Sequence, residues 1–307
     1  MPALKSLLTG AMTLAALCAL PACAQPAPAP KATPTAANDA DPALWVVKDK
    51  DTTIYLFGTV HVLKPGLTWF DEAVKSAFDK SDTLVLEMVE PDAATMQGIV
   101  MAKAIAPTGA PTLTQRLPAD KRAAFTTAIA EAGIPGAAAE RLKPWFASIA
   151  ISMVPIRKAG YDGDQGPEKI LTAAAKAAGK TVTGLETAEQ QIGYFDGLSD
   201  GAQVTFLTST LDELPKGAAT LDTMVADWSA GRTDALAKTM NDGLKDSPEV
   251  AAKILYDRNA RWATWIGERM QKPGTVFVAV GAGHLAGDKS VIADLATKKL
   301  KAVRVKY

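Results

Sequence analysis

Two apolar runs near opposite ends of the chain stop in the same way. Ile54-Tyr55-Leu56-Phe57-Gly58-Thr59-Val60-His61 and Val276-Phe277-Val278-Ala279-Val280-Gly281-Ala282-Gly283-His284 each read as a buried strand, then Gly, two residues and His. They hold the only two histidines of the sequence, 223 residues apart. In open α/β sheets the carboxyl ends of the strands open into the crevice where ligands bind. A glycine there lets the backbone turn sharply or approach a ligand closely. One such histidine is as readily an ordinary polar residue at a strand end. The pair argues for strands from both ends of the chain in one sheet, with both imidazoles at one site.

Other runs fit that plan. Leu44 to Lys48 and Thr52 to Gly58 read as a hairpin around Asp49-Lys50-Asp51. Thr68 caps a predicted helix to Asp79, and Thr83 to Met88 is a short buried strand. Asp92 to Gly160 is alanine-rich and helical. Pro167 to Ala178 is a helix closed by Gly179, followed by a strand from Lys180 to Leu185. Thr187 to Arg269 reads as several helices, with Pro248 at the first position of one. Beyond the strand Thr275 to Gly281, His284 to Thr297 is expected as helix and Lys301 to Lys306 as a last strand. The expected class is α/β: a mixed central sheet, flanking helices and a large helical insertion, in one domain over 44–307.

Lys and Arg total 33, as do Asp and Glu, so no basic excess points to a nucleic-acid partner. Residues 1–24 read as an export signal: Lys5, an apolar stretch from Leu7 to Leu20, then Ala22-Cys23-Ala24 before Gln25. Cleavage after Ala24 would leave a mature chain without cysteine, because Cys18 and Cys23 are the only two. Leu20-Pro21-Ala22-Cys23 also loosely resembles a lipobox, which would make Cys23 a lipid anchor. Either route places the protein in the periplasm or outside the cell. Residues 25–43 read as a Pro- and Ala-rich tether. No run is expected to span a membrane in the mature chain. Phe146 to Ile156 is short, contains Pro155 and suits a buried helix.

Three more residues sit where a site would form. Glu87 ends the strand Leu84-Val85-Leu86, and Glu186 closes Gly184-Leu185-Glu186-Thr187. Each carboxylate is either a solvated strand end or a crevice group, and Glu186 also suits a helix N-terminus. Arg258 lies among Tyr256, Trp262 and Trp265, so it needs a carboxylate or an anionic ligand if that face is buried. Asp162 and Asp164 in the turn Gly160 to Gly166 read as turn or cap residues. No Gly-x-Ser-x-Gly elbow or phosphate-binding glycine loop is present.

Gly58-Thr59-Val60-His61, Leu86-Glu87, Gly184-Leu185-Glu186-Thr187 with Gln190 or Gln191, Arg258-Asn259 and Gly281-Ala282-Gly283-His284 together resemble the TraB/GumN family. That family includes the animal Tiki proteins, and Gly179 to Thr187 is similar to its bacterial GumN-type branch. The resemblance implies a fold like that of erythromycin esterases and ChaN-like haem-binding proteins. It also implies a metal-dependent hydrolase of the peptidase kind. His61, His284 and Glu87 would then be metal ligands, and Glu87, Glu186 and Arg258 catalytic groups. A nitrogen and oxygen donor set suits Zn²⁺, Mn²⁺, Co²⁺ or Fe²⁺ without choosing among them. The same residues suit a metal-free esterase-like hydrolase acting on a peptide or small molecule, with one histidine as base and a glutamate orienting it. They also suit a non-enzymatic protein that binds haem, a metal or a peptide.

Overall fold

A computed structural model describes residues 38–241 and 247–307. Strands β1 (Leu44–Lys48) and β2 (Thr52–Thr59) form the expected hairpin. Its turn is fastened by Asp49, whose Oδ1 accepts from the backbone N–H of Asp51 at 3.2 Å and of Thr52 at 2.9 Å. Four more strands complete one sheet: β3 (Thr83–Met88), β4 (Thr181–Glu186), β5 (Gly274–Gly281) and β6 (Val303–Arg304). Their order is β4-β3-β5-β2-β1-β6. The four from β4 to β2 run parallel, and β1 is antiparallel to both its neighbours.

Helix α1 (Glu72–Asp79) connects β2 to β3. Helices α2 (Ala93–Ala104), α3 (Arg122–Glu131), α4 (Pro144–Lys158) and α5 (Pro167–Ala177) lie between β3 and β4. Helices α6 (Ala188–Asp196), α7 (Asp200–Glu213), α8 (Gly217–Ser229), α9 (Thr233–Asn241) and α10 (Asp257–Arg269) lie between β4 and β5. Helix α11 (Val291–Thr297) follows β5.

Strand alternation explains why β5 is apolar throughout. Phe277 and Ala279 face one core layer with Phe57, Trp69, Phe78 and Trp228. Val276, Val278 and Val280 face the other, against Trp262, Ala263 and Ile266 of α10 and Leu295 of α11. A parallel strand covered on both sides has no solvent face to make polar. The helical insertions pack into their own clusters, chiefly α2, α4, α6 and α7. Helix α4 is the buried helix expected around Phe146 to Ile156, and Pro248 does open a helical turn. Among the described residues no helix is long and apolar enough to cross a membrane.

Four local expectations change. The helix expected from Thr68 starts at Glu72. Thr68 is instead held extended, accepting from Ala40 N–H and donating to Asn38 C=O, both at 2.8 Å. That pairing also docks residues 38–43, read above as the end of the tether, with Ala40 and Ala43 buried. The helix expected from His284 is divided: a single 3₁₀ turn spans Ala282–Leu285, and Ser290 then caps α11 through Ala293 N–H. Gly287, at φ +87°, breaks the path between them. The last strand shortens to the two residues that pair with β1. The export segment 1–24, Cys23 and most of the tether lie outside the described residues.

Candidate functional site

Sheet register brings the distant motifs together. Across β2 and β5, Gly58 stands beside Val280 and Thr59 beside Gly281. Across β3 and β5, Leu86 stands beside Ala279, and across β3 and β4, Met88 stands beside Glu186. Four parallel strands therefore end at one level, and His61, Glu87, Glu186 and His284 all emerge at that carboxyl edge. Trp228 Nε1 donates to Gly58 C=O at 2.7 Å and fixes the backbone entering the first histidine loop.

Helix α10 supplies Arg258, 2% exposed, beneath this edge. Its Nε donates to both oxygens of Glu186 at 3.1 Å. Its Nη2 donates to Glu87 Oε2 at 2.5 Å and to Glu186 Oε2 at 2.8 Å. Its Nη1 donates to Ile254 C=O at 3.1 Å and meets His284 Nε2 at 3.2 Å. Each guanidinium nitrogen is thus committed to the protein's own groups, and none is left for an oxyanion. Ile254 lies in a π-helical turn, Ala252–Tyr256, just before α10. Such turns often occur at functional sites.

Both carboxylates are buried. Glu186 also accepts from Tyr194 OH and Trp262 Nε1, each at 3.1 Å, and from Gln191 Nε2 at 3.2 Å. Its oxygens are fully engaged, so it anchors Arg258. Glu87 accepts from Gln191 Nε2 at 3.2 Å on one oxygen and from Gly281 N–H at 2.7 Å on the other. Burial opposes its charge, but the Arg258 guanidinium foremost, with the Gly281 N–H, brings its pKa down to about 2.

His284 is held from both ring nitrogens. Asn259 Oδ1 faces Nδ1 at 2.6 Å, while Arg258 faces Nε2. Burial and then the Arg258 charge push its pKa down to about 3, so the ring is neutral. His61 has the opposite environment. Glu168, in the first turn of α5, places Oε1 2.6 Å from His61 Nδ1 and also accepts from Thr59 Oγ1 at 2.5 Å. Burial works against the imidazolium, but the charge and hydrogen bond of Glu168, then the charge of Glu87, raise its pKa to about 9. Gly166 lies directly against His61 C=O, where any Cβ would collide with that oxygen. The close approach of the α5 entry loop to the histidine loop requires this glycine.

The groups converge at Gly281. A Cβ placed there would lie 3.1 Å from Glu87 Oε1, 3.4 Å from His61 Nε2 and 3.6 Å from His284 Cδ2. The structure therefore brings His61, Glu87, Glu186, Arg258 and His284 into one cluster, and adds Glu168, Gln191 and Asn259. Glu168 is the addition with most chemical weight. Its only local mark is an acid in the first turn of a helix behind a glycine-rich loop, a pattern that serves ordinary helix capping equally well. Among the described residues no three His, Cys, Asp or Glu side chains stand at metal-ligand spacing.

No solved structure matches the chain, so the likeness to esterase and ChaN-like folds stays an implication of the sequence resemblance. An uncharacterized protein of Treponema pallidum (strain Nichols) is 22% identical over 287 residues, 88% of this chain and 84% of that protein. The uncharacterized protein YbaP of Escherichia coli (strain K12) is 29% identical over 148 residues, 47% of this chain and 53% of YbaP. A family model matches residues 43–304, from the first strand of the sheet to the last and across the whole cluster described above. On that match the chain belongs to the TraB/PrgY/gumN family.

Proposed function

We propose that the chain is a hydrolase in which His61, oriented by Glu168, moves protons at an ester or amide bond of a peptide or small molecule. The class of reaction follows the family resemblance. The proton-transfer pair rests on one observation: Glu168 engages His61 Nδ1, and Nε2 is turned toward the space beside Gly281. Neutral Nε2 takes a proton from water as the water oxygen attacks the carbonyl carbon. The imidazolium then returns that proton to the leaving oxygen or nitrogen as the bond breaks, giving acid and alcohol or amine. Glu168 balances the charge on the ring during the cycle. Arg258 and Glu186 keep Glu87 ionised and fixed beside Gly281, so they position rather than react.

A screen of chromogenic esters and peptides tests this, followed by His61→Gln and Glu168→Gln. Both changes should abolish most of the turnover. Hydrolysis that survives His61→Gln would sink the assignment. Because the His61 proton is held to a pKa of about 9, kcat/KM should climb with pH toward that value.

The metal-dependent reading has one observation in its favour. Both imidazoles are anchored at Nδ1 by an acceptor, the arrangement that orients metal-bound histidines. With Glu87 they offer donors of suitable type, and a bound divalent cation would acidify water and polarise the carbonyl. The placement at His284 does not fit as it stands, since Arg258 is already 3.2 Å from Nε2 and its charge would face the cation. Elemental analysis of protein purified without chelator, beside His61→Ala and His284→Ala, separates the two. Stoichiometric metal lost in both folded variants would replace the metal-free mechanism. Export remains part of the proposal, and intact mass of the mature protein distinguishes a Gln25 start from a lipidated Cys23.

A further inference from the structure

We infer that Asn259 is a positioning residue that sets the tautomer of His284, so that two successive residues, Arg258 and Asn259, grip the two nitrogens of one ring. The groups around the ring have hydrogen-bonding roles with no alternative. The Asn259 amide nitrogen lies 2.6 Å from Lys289 C=O, and a carbonyl only accepts. Reversing the amide would set two oxygens 2.6 Å apart, so Nδ2 belongs on Lys289 and Oδ1 on His284. Oδ1 in turn only accepts, and His284 Nδ1, 2.6 Å away, therefore carries a hydrogen. At the other nitrogen, Arg258 Nη1 only donates, and Nε2, 3.2 Å away, must present its lone pair. Only the neutral Nδ1–H ring satisfies both partners. An Nε2–H would point at a guanidinium N–H, and a bare Nδ1 would face an amide oxygen.

The surroundings leave the ring no other pose. Asn259 is 0% and His284 4% exposed, so neither finds water as a substitute partner. The indole of Trp262 covers the ring with centroids 4.4 Å apart. The consequence reaches Glu87. A ring locked as an acceptor fixes Nη1, which leaves Nη2 on the two carboxylates, and Glu87 then keeps its place at Gly281 N–H. Asn259 thus acts on the centre through His284 and Arg258 without reaching it. The inference concerns the proton on one ring and does not need the hydrolytic reading, so failure of either leaves the other standing.

The full chain labelled with ¹⁵N-histidine gives only two imidazole spin systems, and His61→Gln assigns them. At neutral pH, His284 of the parent should show a single neutral form protonated at Nδ1. Asn259→Asp keeps an acceptor on Nδ1 and should keep the Nδ1–H, at a cost in stability because its second oxygen replaces the donor to Lys289 C=O. Asn259→Ala should lose the Nδ1–H to a mixture of forms, with kcat reduced roughly tenfold to a hundredfold and KM unchanged once a substrate is in hand. An Nε2–H ring or an imidazolium in the parent would overturn the inference. So would a folded Asn259→Ala protein with the parent spectrum. If Asn259→Ala does not fold, the parent spectrum still decides.

Discussion

Replacing Glu168 by Gln removes one charge and little volume, and its effect on stability should depend on pH in a defined way. His61 is raised from 6.5 to about 9 in the folded chain, against burial and chiefly through Glu168. A shift of that size corresponds to about 3 kcal/mol, and because burial opposes it, the pull of Glu168 on His61 is at least that before solvent screening. Side-chain exposures of 16% for His61 and 24% for Glu168 leave modest solvent screening of the pair. The sign follows from linkage: a raised histidine pKa stabilises fully below 6.5, and that stabilisation fades as pH rises toward 9. Glu168 is lowered from 4.5, so its share is present above that value and lost as acid protonates it. The stability gap between parent and Glu168→Gln should therefore be widest between 4.5 and 6.5 and should close above 9. Urea denaturation across that range measures it, and NMR titration of the two histidines reports the shift directly. In the variant the His61 pKa should fall to 6.5 or below, because burial then acts with little opposition. A parent His61 that titrates at or below 6.5, or a stability gap independent of pH, would show that Glu168 does not hold the His61 proton.

Arg258→Met strands two buried carboxylates, Glu87 and Glu186, and should cost about 3–5 kcal/mol, read by urea denaturation. Gly281→Ala puts a methyl 3.1 Å from Glu87 Oε1 and 3.4 Å from His61 Nε2. The expected stability loss is about 1–3 kcal/mol, with a far larger loss of any turnover, measured on the same preparation. Full activity in that variant would move the reaction away from Gly281.

The sheet was readable because its signals are local. Buried parallel strands such as Thr275 to Gly281 are apolar at every position, and polar turns punctuate them. The likeness of the two histidine loops anticipated their convergence, which the side-by-side register of β2 and β5 explains. What stayed hidden depends on tertiary partners. Glu168 meets His61 only because Gly166 admits the α5 entry loop against the histidine loop. Thr68 carries a helix-capping side chain, but its backbone pairs with residues 38 and 40, which no local pattern announces. Arg258 called for an anionic partner, yet nothing nearby in sequence indicated that its donors would all turn inward.

Strand β5 lies between β2 and β3, which do not touch each other in the sheet, although it follows both by about 200 residues. During synthesis, β1 with β2 and β3 with β4 can form as separate two-stranded pieces, and such pieces are weak alone. They join only when the segment from Gly274 inserts between them, and that same event delivers Gly281 and His284. Closure of the sheet and completion of the site are therefore one step, taken only once the segment through His284 has been made. Partial products of translation carry His61 and Glu87 without the strand that brings them together, and so lack the assembled cluster.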